Sequence, residues 1–404
     1  MMGWTLLLAL AQAGPLEGLP SGPGPHVARI AELKDGEWLD LGAPAPDPKW
    51  GRARGRSWTS TMPFAPELRG AFLFGEGVHG YVKPDGRYMD DLWFYDAAAH
   101  RWICVYPGAD TKTLALTINA DGFEAGPDGR PVPVAAQVHG YAMVEYDVER
   151  RRFVMMPCPG GYEKKALPQR AGWLKPAPPD ASPWFFETSS AAWNRVRTST
   201  LAPKSGFGDV LLCLPARKEY FFARGGGKEV WFFDPAKNAW RQAKPSGPPP
   251  PFGIEPVACV DPKRERVYVG GGNYPVAPEG TNAFWIYDLK ADAWIDPKPK
   301  GAPCRGSTRY TTLNATMVYD SRNDAVLLLR HSNHYDKNED LTGVYVYDPE
   351  TNAWAAEGFP LPEKLSKTKM KNGFYDAAQN AVFLHSAGDS ADNGTIWAFR
   401  PRRP

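Results

Sequence analysis

The sequence lacks several patterns that would point to common classes of protein. Its five cysteines include no Cys-x-x-Cys pair, which argues against a thiolate metal cluster. The net charge is +2 and basic residues are interspersed with acidic ones, so the basic cluster of a nucleic-acid-binding protein is missing. There is no apolar run long enough to cross a membrane and no extended helical periodicity. We therefore expect no nucleic-acid partner, no membrane span and little helix.

The cysteines also give no disulfide framework. Their odd number leaves at least one thiol unpaired in a monomer. Cys213 and Cys259 stand in equivalent apolar segments, and we interpret both as buried thiols, since free cysteine is commonly buried. A disulfide between these two residues is the alternative.

What the sequence does contain is one tryptophan setting repeated along the chain. In each copy a short aromatic run is followed by a polar turn and then by Trp, as in KEVWFFDPAKNAW ending at Trp240 and NAFWIYDLKADAW ending at Trp294. Similar runs end at Trp102, Trp193 and Trp354. The pattern is typical of two strands joined by a tight turn. We predict that each Trp has a structural role, opening an outer strand and packing between neighbouring sheets.

A second motif precedes each aromatic run. It is an apolar segment ending in small or polar residues, and its six copies span 70–77, 152–161, 219–227, 266–273, 325–333 and 381–389. Repeats of roughly 50 residues indicate a propeller or a solenoid. Six copies of the motif indicate six blades.

The remaining copy of the tryptophan setting, around Trp38, has no aromatic strand before it. The missing strand stands at the other end of the chain, as TIWAF at 395–399. A repeat divided between the two termini closes a ring, so the strand from Glu37 to Leu41 is predicted to complete the sixth blade. The expected fold class is all-β: residues 14–404 form a single six-bladed propeller with four antiparallel strands per blade.

The links between strands predict two unlike faces. In the fourth repeat, tight turns (DPKRE and DLKAD) join the first strand to the second and the third to the fourth, whereas the other links vary in length. In an up-and-down sheet both tight turns lie on one face, here called the short-turn face. All longer links then lie on the opposite, long-loop face, where function is expected because binding residues are usually on loops held by a rigid scaffold. Two insertions, 105–136 and 157–183, belong to this face and are expected to pack together.

Residues 1–13, MMGWTLLLALAQA, resemble a secretory signal peptide. An apolar stretch is followed by Ala11-Gln12-Ala13, the small-residue pattern of a cleavage site. The segment departs from the usual pattern because its start carries no Lys or Arg. A mis-assigned start or a buried apolar end is the alternative. We expect export, with the mature protein secreted or periplasmic.

The repeats resemble the kelch motif, which is also found in the central domain of galactose oxidase. FFDPAKNAW at 232–240 and VYDPETNAW at 346–354 follow its pattern closely, whereas FFETSSAAW at 185–193 lacks the Asp-Pro pair. The motif also has a Gly-Gly pair after the preceding strand, as in EYFFARGGG at 219–227. This pair is intact in blades two, three and four and degraded in blades one, five and six. The resemblance implies a propeller fold over residues 30–400, but kelch propellers serve many functions.

Ligand-binding candidates are polar and aromatic residues predicted on the long-loop face. Aromatic rings beside Asn and Asp suit stacking on sugars or anchoring a protein partner. The set comprises His79, Tyr81, His139, Tyr162, Tyr274, Arg309, Tyr310, His331, Asn333, His334, Tyr335, Asp336 and His385. His79, His331 and His385 belong to blades that ring closure makes neighbours, so they are weak metal candidates. Solvated or hydrogen-bonded loop histidines are the simpler interpretation, and no cofactor is predicted.

The sequence favours a monomeric, non-enzymatic binding module whose partner is a protein or a carbohydrate. The alternative is a carbohydrate-active enzyme similar to the six-bladed kelch-type enzymes that interconvert the anomers of sialic acid, which need an acid and a base near the ring oxygen. Candidates for those roles are Glu76, Glu163, His331, Asp336 and His385, with Arg309 as an anion clamp. A galactose oxidase-like copper oxidase is a further alternative, but its crosslinked Cys–Tyr pair and its other ligands find no counterparts in this sequence.

Overall fold

Six four-stranded antiparallel sheets form a β-propeller. The computed structural model describes residues 14–402 except for 57–58, 60, 76–85, 88, 111, 135, 138–139, 141, 159–181, 207, 225–228, 251–255, 272–280, 283, 302–304, 307–314, 331–341, 356–357, 367–369 and 388–393. The predicted fold class is confirmed.

The elements follow the order that the repeats predict. The N-terminal segment contains helix α1 (Pro25–Ala31) and strand β1 (Trp38–Gly42). Blade one contains β2 (Phe64–Ala65), β3 (Gly70–Leu73), β4 (Leu92–Asp96) and β5 (Arg101–Tyr106), and a hairpin of β6 (Thr117–Ile118) and β7 (Glu124–Ala125) follows it. Blade two contains β8 (Val144–Asp147), β9 (Arg152–Met155), β10 (Trp184–Glu187) and β11 (Ala192–Arg195). Blade three contains β12 (Val210–Leu214), β13 (Glu219–Arg224), β14 (Glu229–Asp234) and β15 (Ala239–Gln242), with a 3-10 turn at Pro215–Arg217.

The second half repeats the arrangement. Blade four contains β16 (Pro256–Asp261), β17 (Arg266–Gly271), β19 (Phe284–Asp288) and β20 (Ala293–Ile295), and β18 (Thr281–Asn282) pairs with β21 (Arg305–Gly306) beside it. Blade five contains β22 (Ala315–Asp320), β23 (Ala325–Arg330), β24 (Gly343–Asp348) and β25 (Ala353–Trp354). After helix α2 (Glu363–Ser366), blade six contains β26 (Met370–Asp376), β27 (Ala381–Ala387) and β28 (Thr395–Phe399).

Strand β1 closes the ring by completing blade six. The strand order of this sheet is β1-β28-β27-β26, and β1 is antiparallel to β28 with Trp38 opposite Phe399. The observed strand begins one residue later than predicted. The prediction of a repeat divided between the termini is confirmed.

The core of the propeller lies between adjacent blades. Each of six apolar clusters in the described residues combines side chains from two neighbouring blades. The repeated tryptophans belong to these clusters: Trp102 faces blade six, Trp240 faces blade two and Trp354 faces blade four. Each of these rings therefore packs between its own blade and the preceding one. Trp38, on the edge strand, is the exception in being only partly buried.

The tight turns follow from their sequences. In the turn after β16, Asp261 Oδ1 accepts hydrogen bonds from the backbone N–H groups of Lys263 and Arg264 at 2.9 and 3.0 Å. The last turn residue takes the left-handed conformation, with φ of 51° at Asn238 and 52° at Asn352. Asn tolerates this conformation better than most residues, which explains its recurrence before the Trp.

On the short-turn face, ion pairs link adjacent blades. Arg264 of blade four lies 2.6 Å from Asp324 of blade five, and Arg217 of blade three lies 3.1 Å from Glu265 of blade four. Turn formation and contacts between blades therefore account for many polar side chains on this face.

Candidate functional site

The structure describes one of the thirteen residues that the sequence suggested for binding, His385. The other twelve, His79, Tyr81, His139, Tyr162, Tyr274, Arg309, Tyr310, His331, Asn333, His334, Tyr335 and Asp336, lie outside the described residues. In the part of the chain that the structure covers, no cluster of three or more His, Cys, Asp or Glu side chains could hold a metal ion. Cys213 and Cys259 are free thiols, and Cys213 is the more exposed of the two.

His385 lies inside β27 and is fully buried, so the expectation of a solvated or hydrogen-bonded loop histidine is wrong for this residue. Neither ring nitrogen has a hydrogen-bond partner. The ring meets that of Trp102 edge-on, with centroids 5.1 Å apart. Burial, together with the nearby charge of Arg56, lowers the pKa of His385 to about 3. The imidazole is therefore neutral at physiological pH.

Asn372 faces His385 across the sheet and ties blade six to the link that enters blade one. Its register partner on β27 is His385. The Nδ2 group donates to the carbonyl oxygens of Thr59 and Arg56, the latter at 3.3 Å. Because both partners are acceptors, the amide must present its nitrogen to them. Its oxygen is left buried without a partner.

A buried ion pair lies at the same end of the interface between blades six and one. Arg56 Nη2 lies 2.7 Å from Asp91 Oδ1, and both side chains are almost fully buried. The other carboxylate oxygen of Asp91 accepts from the indole N–H of Trp93 at 2.7 Å. Burying such a pair costs desolvation energy that good geometry must offset. The use of both carboxylate oxygens provides that geometry.

Gln137 extends the polar region towards blade two. Its Nε2 donates to the carbonyl oxygens of Met143 and Met156 at 3.2 and 2.9 Å, and its Oε1 is buried without a partner. Thr59 lies beside it, with its hydroxyl donating to Phe74 O at 3.1 Å. Gly75, with φ of 103°, lets the chain pass close to that hydroxyl, where a side chain would collide.

All these groups are at the long-loop end of the molecule. Arg56 and Thr59 belong to the link into blade one, Asp91 to the link before β4, and Gln137 to the link into blade two. Asn372 and His385 lie near the ends of β26 and β27 at the same end of blade six. None of them except His385 was predictable from the sequence, since the link residues carry no motif. The only available signal was that blade six has a histidine where other repeats are apolar.

Lys371, the neighbour of Asn372 on β26, is 1% exposed. Burial lowers its pKa to about 7. A buried amine is costly when charged, and such groups are concentrated at functional sites. Lys371 is opposite Ser386 on β27.

Because of Lys371, we expect the free energy of unfolding to be larger at pH 9.5 than at pH 7. Its pKa is lower in the folded chain than in the unfolded chain, so between about 7 and 10.5 the unfolded chain binds the extra proton and stability rises with pH. At about 1.4 kcal/mol per pH unit, the gain is roughly 1–3 kcal/mol. Urea unfolding across this range measures it. Lys371→Met should flatten the slope, and a slope that Lys371→Met leaves unchanged would contradict the assignment.

Comparison with known proteins does not identify a family. No family model matches the chain, and no curated protein is significantly similar to it. Among solved structures, an auxiliary nutrient binding protein from Bacteroides thetaiotaomicron is similar with a TM-score of 0.49 and 10% identity. The alignment covers 89% of this chain and 75% of that chain. A likeness at this level concerns the fold alone.

The described helices are short. None of them has both the length and the hydropathy needed to cross a membrane.

Proposed function

We propose that this chain is an exported kelch-type propeller that binds a glycan or protein partner through its long-loop face. The observation that carries the proposal is the buried polar region between blades six and one. Asn372, His385 and the Arg56–Asp91 pair meet there from segments far apart in the sequence. Local departures from an apolar core are expected at functional sites. The module is expected to act as a secreted or periplasmic monomer without a cofactor.

The polar groups of the short-turn face differ from those at the long-loop end, and this difference supports the long-loop face as the binding face. Its buried aspartates cap their own turns, as Asp261 and Asp376 do, and its ion pairs link one blade to the next. Those contacts stabilise the ring whether or not a ligand is present. The polar groups at the long-loop end include an imidazole that makes no hydrogen bond, which stability alone does not explain.

Hydrogen exchange tests which face binds. Residues 14–404 are screened on a glycan array and against immobilised surface proteins, and the strongest partner is added during exchange measured by mass spectrometry. We expect protection within 43–63 and 107–143, which are links of the long-loop face. The turns at 262–265 and 349–352 serve as internal controls and should exchange unchanged. Protection confined to those turns would contradict the proposal.

A carbohydrate-active enzyme on the same face is the second candidate. It is favoured by the presence of a carboxylate, an arginine and a histidine at one end of the interface between blades six and one, Asp91, Arg56 and His385. Asp91 is, however, engaged by both Arg56 and Trp93, so it is not free to exchange a proton readily. Nuclear magnetic resonance exchange between the anomers of a bound sugar, sialic acid included, separates the two candidates. Faster anomer exchange with the protein favours the enzyme, and an unchanged rate favours the binding module.

A further inference from the structure

The turn between β4 and β5 differs from other short turns in the residue at its left-handed position. In four other turns a tyrosine hydroxyl binds the side chain of the left-handed residue five positions later, which is Asp or Asn in each case. These pairs are Tyr287–Asp292, Tyr319–Asp324, Tyr347–Asn352 and Tyr375–Asn380. In blade one the same position, with φ of 53°, is held by His100, and the hydroxyl of Tyr95 lies 2.7 Å from its Nδ1 atom. This turn therefore carries an imidazole, which titrates near neutral pH, where the other turns use Asp or Asn.

A second histidine faces this ring from the N-terminal segment. His26, in α1, is 6% exposed, and its ring centroid lies 5.2 Å from that of His100. Its Nε2 lies 2.9 Å from the carbonyl oxygen of Ala97 in the same turn, so this nitrogen carries a proton. The backbone N–H of Gly24 donates to Ala98 O at 2.7 Å. Two hydrogen bonds and a pair of facing imidazoles therefore dock α1 on the turn.

The groups around His100 disfavour a positive charge on its ring. Burial lowers the pKa of His100 to about 4, and His26 and Arg29 of α1 act in the same direction. The backbone of Leu41 on β1 favours the charged ring but offsets only part of this effect. His100 is itself only partly buried, so the ring is not sealed from water.

The carboxylate of the turn is already engaged. Asp96 Oδ2 accepts from Arg101 Nε at 3.0 Å and from Ser21 Oγ at 2.5 Å, while Oδ1 accepts from backbone N–H groups of the turn. Tyr95 is uncharged, because burial, together with the charge of Asp96, raises its pKa well above the usual range. Protonation of His100 therefore places a positive charge against α1 that no available carboxylate of this turn balances.

We propose that His26 and His100 form an acid-operated latch, which holds the N-terminal segment on blade one near neutral pH and releases it in acid. Residues 21–29 leave the turn while β1 stays paired with β28, because the contacts that close the ring include neither histidine. The inference concerns a conformational change and does not depend on which face binds a partner.

The direction of the pH effect follows from where the proton binds more tightly. A free histidine has a pKa of about 6.5, whereas docked His100 has a pKa of about 4, so the released state takes up the proton first. The docked state is favoured above pH 6.5 and loses this advantage as the pH falls from 6.5 towards 4. The full difference corresponds to a roughly thirtyfold rise in the opening constant between pH 8 and pH 5. We expect at least about tenfold, since His100 stays in its turn beside Tyr95 after release.

Hydrogen exchange measured by mass spectrometry at pH 8 and pH 5, corrected for the chemical exchange rates, follows the opening. Peptides that include Gly24 and α1 should lose protection at least about tenfold at pH 5. Peptides of β13 and β14 in blade three report global unfolding and should keep their protection.

His100→Asn is the deciding variant, because it installs the residue that other blades hold at Asn352 and Asn380 and keeps a partner for Tyr95. It should fold, and the loss of protection of α1 at pH 5 should shrink to less than about twofold. His385→Leu is the matched control. It removes a buried histidine of the interface between blades six and one and should leave the effect of pH on α1 unchanged.

His26→Gln tests the facing ring with a side chain that also donates hydrogen bonds, and it should weaken the effect of pH. The inference is overturned if α1 of the wild-type protein loses no more protection than blade three, or if all peptides lose protection together. A full tenfold effect in either His100→Asn or His26→Gln would also overturn it.

Discussion

Deleting residues 14–45 is expected to abolish cooperative unfolding, because the deletion removes the fourth strand of blade six. Five residues of β1 are lost, including Trp38, whose ring lies 4.7 Å from that of Phe399. The deletion also removes Ile30, whose carbonyl oxygen accepts a hydrogen bond of 2.6 Å from Arg400. Strand β28 then becomes an exposed edge, which invites aggregation. Since the ring depends on contacts between successive blades, an open seam weakens both neighbours of the gap.

Calorimetry and near-ultraviolet circular dichroism of the purified deletion variant measure this effect. We expect no sharp transition and a larger hydrodynamic radius than that of residues 14–404. A shorter deletion of residues 14–20 is the matched control, because it leaves α1 and β1 in place and should keep a cooperative transition. A cooperative transition of the long deletion at the same temperature as the control would show that the ring does not depend on this closure.

Replacing Trp240 by Ala should cause a large loss of stability, because the indole fills space between two blades. Trp240 is 4% exposed, and its ring lies 4.9 Å from that of Phe233 and 5.7 Å from that of Phe222. It also belongs to the cluster that joins blades two and three. Truncating a buried tryptophan costs about 3–5 kcal/mol, against a total stability of roughly 5–15 kcal/mol. We expect lower expression and a melting temperature reduced by several degrees.

Trp50→Ala is the control for this substitution. Trp50 is only partly buried, and its ring lies under the charged groups of Lys49 and Arg87 at 4.7 and 5.0 Å. Its loss should cost clearly less than the loss of Trp240 in urea unfolding. Equal melting curves for Trp240→Ala and wild type would count against the packing role of the repeated tryptophan.

The fold could be predicted because its signals are local and recur. The residues of a turn such as DPAKN before Trp240 predict its structure, because Asp234 caps the turn and Asn238 takes the left-handed conformation. Because the pattern occurs six times, the prediction of the fold does not depend on any single strand. The seam between β1 and β28 was also predictable, because the two halves of one repeat complement each other across the termini.

The candidate site could not be predicted in the same way. His385 is a candidate from the sequence because histidine is a common ligand. Its burial and its missing hydrogen bonds, however, depend on Trp102 and Gly394, which pack around it. Arg56 and Gln137 lie in links without a recognisable motif. Their position depends on which blades the closed ring makes neighbours. The spacing of residues along the chain does not show which blades these are.

The sequence alone determined the number of blades, the position of the seam and the separation of a short-turn face from a long-loop face. Each of these follows from hydrogen bonds and side-chain alternation within a few neighbouring residues. Only the tertiary structure decided where the buried polar groups meet, because Arg56, Asp91, Asn372 and His385 come together solely through closure of the ring between blades six and one. Burial, which makes the unpartnered atoms of Asn372 and His385 costly, is a property of that closed interface.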